Sequence, residues 1–118
     1  MWSVAIAPEF EPEINAMDRR VRIELLAQAE LLAEFGPSLG RPRVDTLKGS
    51  KHANMKELRF DAGDGVWRAA FAFDPQRRAI ILAAGDKSGV SEKRFYRRLI
   101  ALADKRFGAH LSRIRLNS

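Results

Sequence analysis

The chain opens on Trp2–Ala7, a short run of strand-forming residues that Pro8 ends, which predicts a first strand. From Glu9 to Phe35 the apolar period changes. Val21, Leu25, Ala29 and Leu32 recur at helical spacing and mark one face of an amphipathic helix. Asn15 or Asp18 divides this region into a short helix and a longer one, and Gly36-Pro37 stops it. Residues 36–54, rich in Gly, Pro and polar groups, read as one long loop, a kind that in compact domains is functional or mobile.

Period two returns in Met55–Phe60 and Val66–Phe73, joined by Asp61-Ala62-Gly63-Asp64-Gly65, a hairpin signal. Asp74-Pro75-Gln76-Arg77-Arg78 turns into a further strand, Ala79–Ala84. Ser91 caps a final helix that is expected to run to about Phe107 and close at Gly108. Its apolar rows, Phe95–Leu99–Leu102 and Tyr96–Ile100–Ala103–Phe107, predict extensive burial. The element order gives an α+β fold: an N-terminal strand and two helices, a three-stranded antiparallel meander, and a C-terminal helix. At 118 residues this is the size of a single domain, 1–118.

Strand parity assigns faces. Trp67, Ala69, Phe71 and Phe73 form the core side of their strand, so Arg68, Ala70 and Ala72 point the other way. Leu58 and Phe60 set the core side of the preceding strand and put Glu57 and Arg59 opposite. The core sides coincide when Phe60 faces Trp67, and that register sets Arg59 against Arg68. Two cations directly opposed repel unless an anion sits between them. Glu57 is one candidate for that role and a bound phosphate is the other. Because Ala70 and Ala72 are small, this face is a shallow concavity, either roofed by the last helix or open to substrate.

Charge sharpens this picture. Lys and Arg number 21 against 15 acidic residues, a net of +6. Residues 1–40 hold three basic and seven acidic residues, whereas residues 41–118 hold 18 and 8, so the basic excess lies in the later part. Such asymmetry points to a polyanion or an acidic partner. Lys48, Lys51, His52 and Lys56 precede or open the hairpin, and Lys87 and Arg94 follow the last strand. These groups are expected to converge with Arg59 and Arg68 over one phosphate-sized cavity, where Arg gives bidentate contacts and Lys a point charge. With no cysteine and two histidines, disulfides, thiol catalysis and a zinc site are not expected. The first residues do not form a signal peptide, and no apolar run reaches the ~20 residues that span a bilayer. No membrane association is expected, and the chain reads as cytoplasmic.

Leu47-Lys48-Gly49, Met55–Phe60 and Val66–Phe73, in that order, resemble the LKG…ELR…WR-x-x-F signature of RelE/HigB-type toxins of the RelE/ParE superfamily. Gly85-Asp86-Lys87-Ser88-Gly89 and Phe95–Ile100 resemble its phage-derived branch, and the likeness runs from about Leu47 to Leu111. The resemblance implies a RelE-like fold and a ribosome-dependent endoribonuclease acting on translated mRNA. It also implies a cognate antitoxin with a helix-turn-helix domain, and no metal or other cofactor. In such chemistry a 2′-hydroxyl attacks the adjacent phosphodiester, which calls for a base, an acid and positive charge on the crowded phosphorane.

Carried over by position, Arg68 matches the strand arginine that stabilises the scissile phosphate, and Lys87 the basic position past the last strand. Tyr96 matches an aromatic hydroxyl on the last helix, although the spacing here is longer. Lys48, Lys51, Lys56, Arg59 and Arg94 are expected to hold RNA. Histidine titrates near neutrality, which makes His52 a candidate base. Where RelE itself carries a lysine, this chain has Glu57, which either abstracts a proton or orders Arg59 and Arg68. The superfamily also includes gyrase inhibitors, and a non-catalytic nucleic-acid-binding module fits the same charge pattern, so both stand as alternatives.

Overall fold

A computed structural model of the chain describes residues 1–117. Along the sequence run β1 (Ser3–Ile6), α1 (Glu11–Asn15), α2 (Arg19–Phe35), β2 (Val44–Thr46), β3 (Lys56–Ala62), β4 (Gly65–Phe73), β5 (Arg78–Asp86) and α3 (Glu92–Leu116). The strands form one sheet in the order β1-β5-β4-β3-β2. β1 lies parallel to β5, and every other pair is antiparallel.

The expected meander is present as β3-β4-β5, in the register that parity requires. Leu58 faces Ala69, Arg59 faces Arg68 and Phe60 faces Trp67. The sheet around it is larger than expected and mixed, with five strands. β1 extends it in parallel at one edge, and β2 extends it at the other from the segment read as loop. β2 spans three residues with one buried apolar side chain, Val44 opposite Leu58, which is too little for a visible period.

Both faces of β4 are covered, since Ala69, Ala70, Phe71 and Ala72 are all 0% exposed. α3 roofs the small-residue face. Gly85, opposite Arg68, has no side chain because a Cβ there would come within 3.0 Å of the Phe95 ring. α2 lies against the large-residue face and buries Val21, Leu25, Gln28 and Leu32. Asp18, one of the two residues read as dividing the helices, caps it by accepting from the Arg20 amide at 2.8 Å. Gly36 ends it at φ +56° and leaves room for the Trp2 ring, which packs edge-on to Phe73 with centroids 5.5 Å apart.

α3 runs well past the expected stop. Gly108 lies inside it, and Phe107 is followed by nine more helical residues. Tertiary bonds outweigh the ~0.5–1 kcal/mol that a mid-helix glycine costs. Arg106 pairs with Glu13, His110 with Asp74 at 2.8 Å, and Arg113 with Glu9 at 3.1 Å. The expected burial of Leu102 is also corrected. It is 37% exposed because the strand edge below it ends without a neighbour to close the space. Pairing of β4 with β5 slips by one residue between Ala70 and Phe71, which makes Leu82 the extra residue of a bulge. Its carbonyl accepts from Arg106 Nη1 at 2.8 Å. Among the described residues no helix is long and apolar enough to cross a membrane.

Candidate nucleic-acid interface and active site

Three strands and the start of α3 bring a compact charged cluster together. Glu57 stands opposite Ala70, and Arg59 opposite Arg68, all on the face that α3 covers. The Tyr96 hydroxyl reaches down from α3 and donates to Glu57 Oε1 at 2.8 Å. Arg68 Nε lies 3.3 Å from both that hydroxyl and Glu57 Oε1, and Nη1 donates to the Trp67 carbonyl at 2.9 Å. Arg59 Nη2 faces Glu57 Oε2 at 3.7 Å and Asp45 Oδ2 at 3.5 Å. The anion between the two opposed arginines is therefore Glu57, with its side chain only 4% exposed.

Of the two anions the sequence allowed between the arginines, the internal one is present, and it corrects the expected convergence of cations over one cavity: Arg68 is 13% exposed and bonded inside the protein. Two donors nonetheless lack a partner. Arg68 Nη2 has no hydrogen bond among the described residues, and Arg59 Nε is buried without a partner. Both side chains line a cleft of about 280 Å³ together with Pro42, Arg43, Phe60 and Asp61. An unpaired buried N–H costs ~1–3 kcal/mol, so a small shift that let Arg59 Nε donate to an oxygen would be favourable.

Tyr96 is shifted upward from the ordinary tyrosine value, first by burial and then by its bond to Glu57, and it stays protonated at neutral pH. Asp45 is held low, first by the Thr46 amide and then by Arg41, and it remains an anion facing Arg59.

The other predicted residues divide by position. Lys87 belongs to the cluster's face. Its amide bonds Val66 O at 2.8 Å, which sets it a diagonal step from Arg68, while its amine pairs with Glu92 at 3.0 Å. Arg94 is exposed two residues before Tyr96. Lys56 faces Phe71 and so lies on the opposite side of the sheet from Arg59 and Arg68. Lys48 and Lys51 are exposed on a loop tied to α3, where Ser50 Oγ and the Lys51 amide donate to Asp104 at 2.5 and 3.1 Å.

His52 packs edge-on against Phe107 with centroids 5.0 Å apart, and its Nε2 is buried without a partner. Phe107 follows Tyr96 by eleven residues, or roughly 16 Å of helix, so His52 does not join the cluster. Sequence reasoning missed Asp45 and the cleft position of Arg43. The signal was Val44, an isolated apolar residue whose parity places both neighbours on the face of Arg59.

The fold matches the solved structure of the E. coli toxin RelE, a doubly substituted mutant in the free state. The TM-score is 0.58 at 12% identity, over 85% of this chain and 94% of that one. Two Mycobacterium tuberculosis proteins named as toxins are similar in sequence. HigB2 is 47% identical over 100 residues, which is 84% of this chain and 49% of HigB2. HigB3 is 43% identical over 104 residues, 88% of this chain and 89% of HigB3. The chain thus spans about half the length of one relative and most of the other. Residues 12–108 match the model of the phage-derived protein Gp49-like family. The chain belongs to that family, is similar in sequence to HigB toxins and has the RelE fold.

Proposed function

We propose that this chain is the toxin of a type II toxin–antitoxin pair and an endoribonuclease that cuts mRNA on the ribosome. The observation that carries the reading is the Arg59–Glu57–Arg68–Tyr96 cluster at the mouth of a cleft lined by Arg43. A phosphodiester entering the cleft meets the free Arg68 edge and the part-exposed Arg59 guanidinium, and competes with Glu57 for both groups. As the 2′-oxygen attacks phosphorus and the bond to the 5′-oxygen breaks, the two arginines neutralise the phosphorane.

Tyr96 keeps its proton at neutral pH and is the donor for the departing 5′-oxygen. Glu57, released from its internal partners by the incoming phosphate, is the acceptor for the 2′-hydroxyl proton. Lys87 and Arg94 hold the flanking backbone. His52, Lys48, Lys51 and Lys56 lie outside this chemistry, with the lysines as peripheral contacts. Neutralisation falls to a cognate antitoxin with a helix-turn-helix domain, in the cytoplasm where the ribosome and mRNA are met.

Primer extension on transcripts after induction tests the reading. New 5′ ends inside translated codons are expected, and Arg68→Ala removes both the ends and the growth arrest while the chain stays folded. Growth arrest with intact transcripts and a DNA-damage response would instead assign the chain to the gyrase inhibitors. Graded, salt-dependent RNA binding without cleavage would leave a binding module.

A further inference from the structure

β1 leaves half of β5 uncovered. Its residues Ser3–Ile6 pair with Arg78–Ile81, the Ala7 amide bonds Ile81 O at 2.9 Å, and Pro8 has no amide with which to continue. Past the Leu82 bulge, the Lys87 amide donates to Val66 O, which sets the phase of the ladder. In an antiparallel pair, alternate residues turn both backbone groups the same way. Lys87, Gly85 and Ala83 therefore address β4, while Ala84 and Asp86 turn their N–H and C=O outward. Among the described residues no strand pairs with β5 beyond Ile81 on this side. A bare edge of this kind is a template for another chain, and sheets normally block it.

A groove of about 620 Å³ runs beside this edge, between β5 and α3. Its wall is apolar, made by Val90, Phe95, Leu99 and Leu102, and Val90 and Leu102 are 43% and 37% exposed. Arg98 and Lys105 line it as well, and neither has a carboxylate partner among the described residues. We propose that the groove binds an extended segment of a partner polypeptide, apolar at alternate positions and acidic at its flanks, which adds to β5 as a new edge strand.

The free edge calls for an extended backbone, which neither a helix nor an RNA strand supplies. The apolar wall calls for side chains, and the unpaired cations call for carboxylates. A second copy of this chain would bring its own Arg98 and Lys105 against these, because a two-fold contact sets like against like. The proposal stands apart from the nuclease reading, as it needs neither Arg68 nor RNA.

The test uses the isotope-labelled full chain and a synthetic peptide of about seven residues, alternating Val or Leu with Glu or Asp; that length matches the strand-addition mode. Binding is expected to shift the Ala84 and Asp86 amide resonances and to slow their hydrogen exchange about tenfold or more. A peptide with alternate amides N-methylated should not bind. Leu102→Asp should abolish binding, and Arg98→Glu with Lys105→Glu should weaken it about tenfold. Ile23→Asp, on the exposed side of α2, should leave it unchanged. Unmoved Ala84 and Asp86 resonances at millimolar peptide, or equal binding of the N-methylated form, would overturn the proposal. So would a dimer of the free chain that Leu102→Asp dissolves, or protection of the same amides by a single-stranded RNA oligonucleotide.

Discussion

At the β4–β5 turn, Asp74 is wholly buried and accepts from the Gln76 and Arg78 amides, from Arg78 Nε, and bonds His110 Nε2 at 2.8 Å. Roughly 13 Å away along β4, and one strand over, Glu57 is nearly as buried and meets two arginines and a hydroxyl. The difference lies in what is left over. Around Asp74, each neighbouring cation of α3 has its own carboxylate, Arg106 with Glu13 and Arg113 with Glu9. Around Glu57 the donors are not all matched: one guanidinium N–H is buried without a partner, and a cleft opens beside it. A balanced buried network holds the fold, whereas an unbalanced one beside a cleft is prepared for an anion.

Substitutions should separate the two clusters. The largest effect on folding is expected from Asp74→Ala, about 3–5 kcal/mol in urea unfolding, because it strands His110 and two backbone amides. Activity per folded molecule should be unchanged. Arg68→Ala should do the reverse, lowering cleavage about 10²–10³-fold while shifting stability by about 1–2 kcal/mol. Equal loss of stability in the two variants would erase the distinction.

Tyr96→Phe removes one donor from Glu57 and should lower cleavage by about 10²-fold, with stability down about 1 kcal/mol. Burial pushes the Asp74 carboxyl up, but bonds from His110 and Arg78 outweigh it and hold it below its ordinary value of 3.8. Its contribution to stability is therefore complete above that value and is lost as pH falls through the lower folded-state pKa. Urea midpoints measured from neutral to strongly acidic pH should show this loss, and Asp74→Asn should flatten it. The smallest change is expected for Glu9→Gln, since its pair with Arg113 is part-exposed, at about 0.2–1 kcal/mol.

The hairpin register was legible because both strands alternate cleanly and only one pairing buries Phe60 with Trp67. That same register exposed the opposed arginines and their candidate counter-ion, so Glu57, Arg59 and Arg68 were found together. Tyr96 entered only through family resemblance, since helical periodicity alone treats it as core. β2 escaped because one apolar residue has no period. The length of α3 escaped because local propensity stops it at Gly108, while distant carboxylates on and just before α1 and at the β4–β5 turn decide the matter. Lys56 shows the cost of setting parity aside at a strand end, since its pairing with Phe71 turns it away from the cluster.

α3 holds Tyr96 near its start and is pinned through Arg106 to Glu13 and to the Leu82 carbonyl. The carboxylate and carbonyl bonds of α3 thus gather in its second half, at Asp104, Arg106, His110 and Arg113, and Arg106 lies ten residues beyond the tyrosine. A tilt of roughly 10° there swings the Tyr96 ring, about 15 Å away, through between about 2 and 3 Å. A sweep of that size would part the tyrosine from the carboxylate beneath it, loosen the grip on Arg68 and lift the Phe95 ring from Gly85.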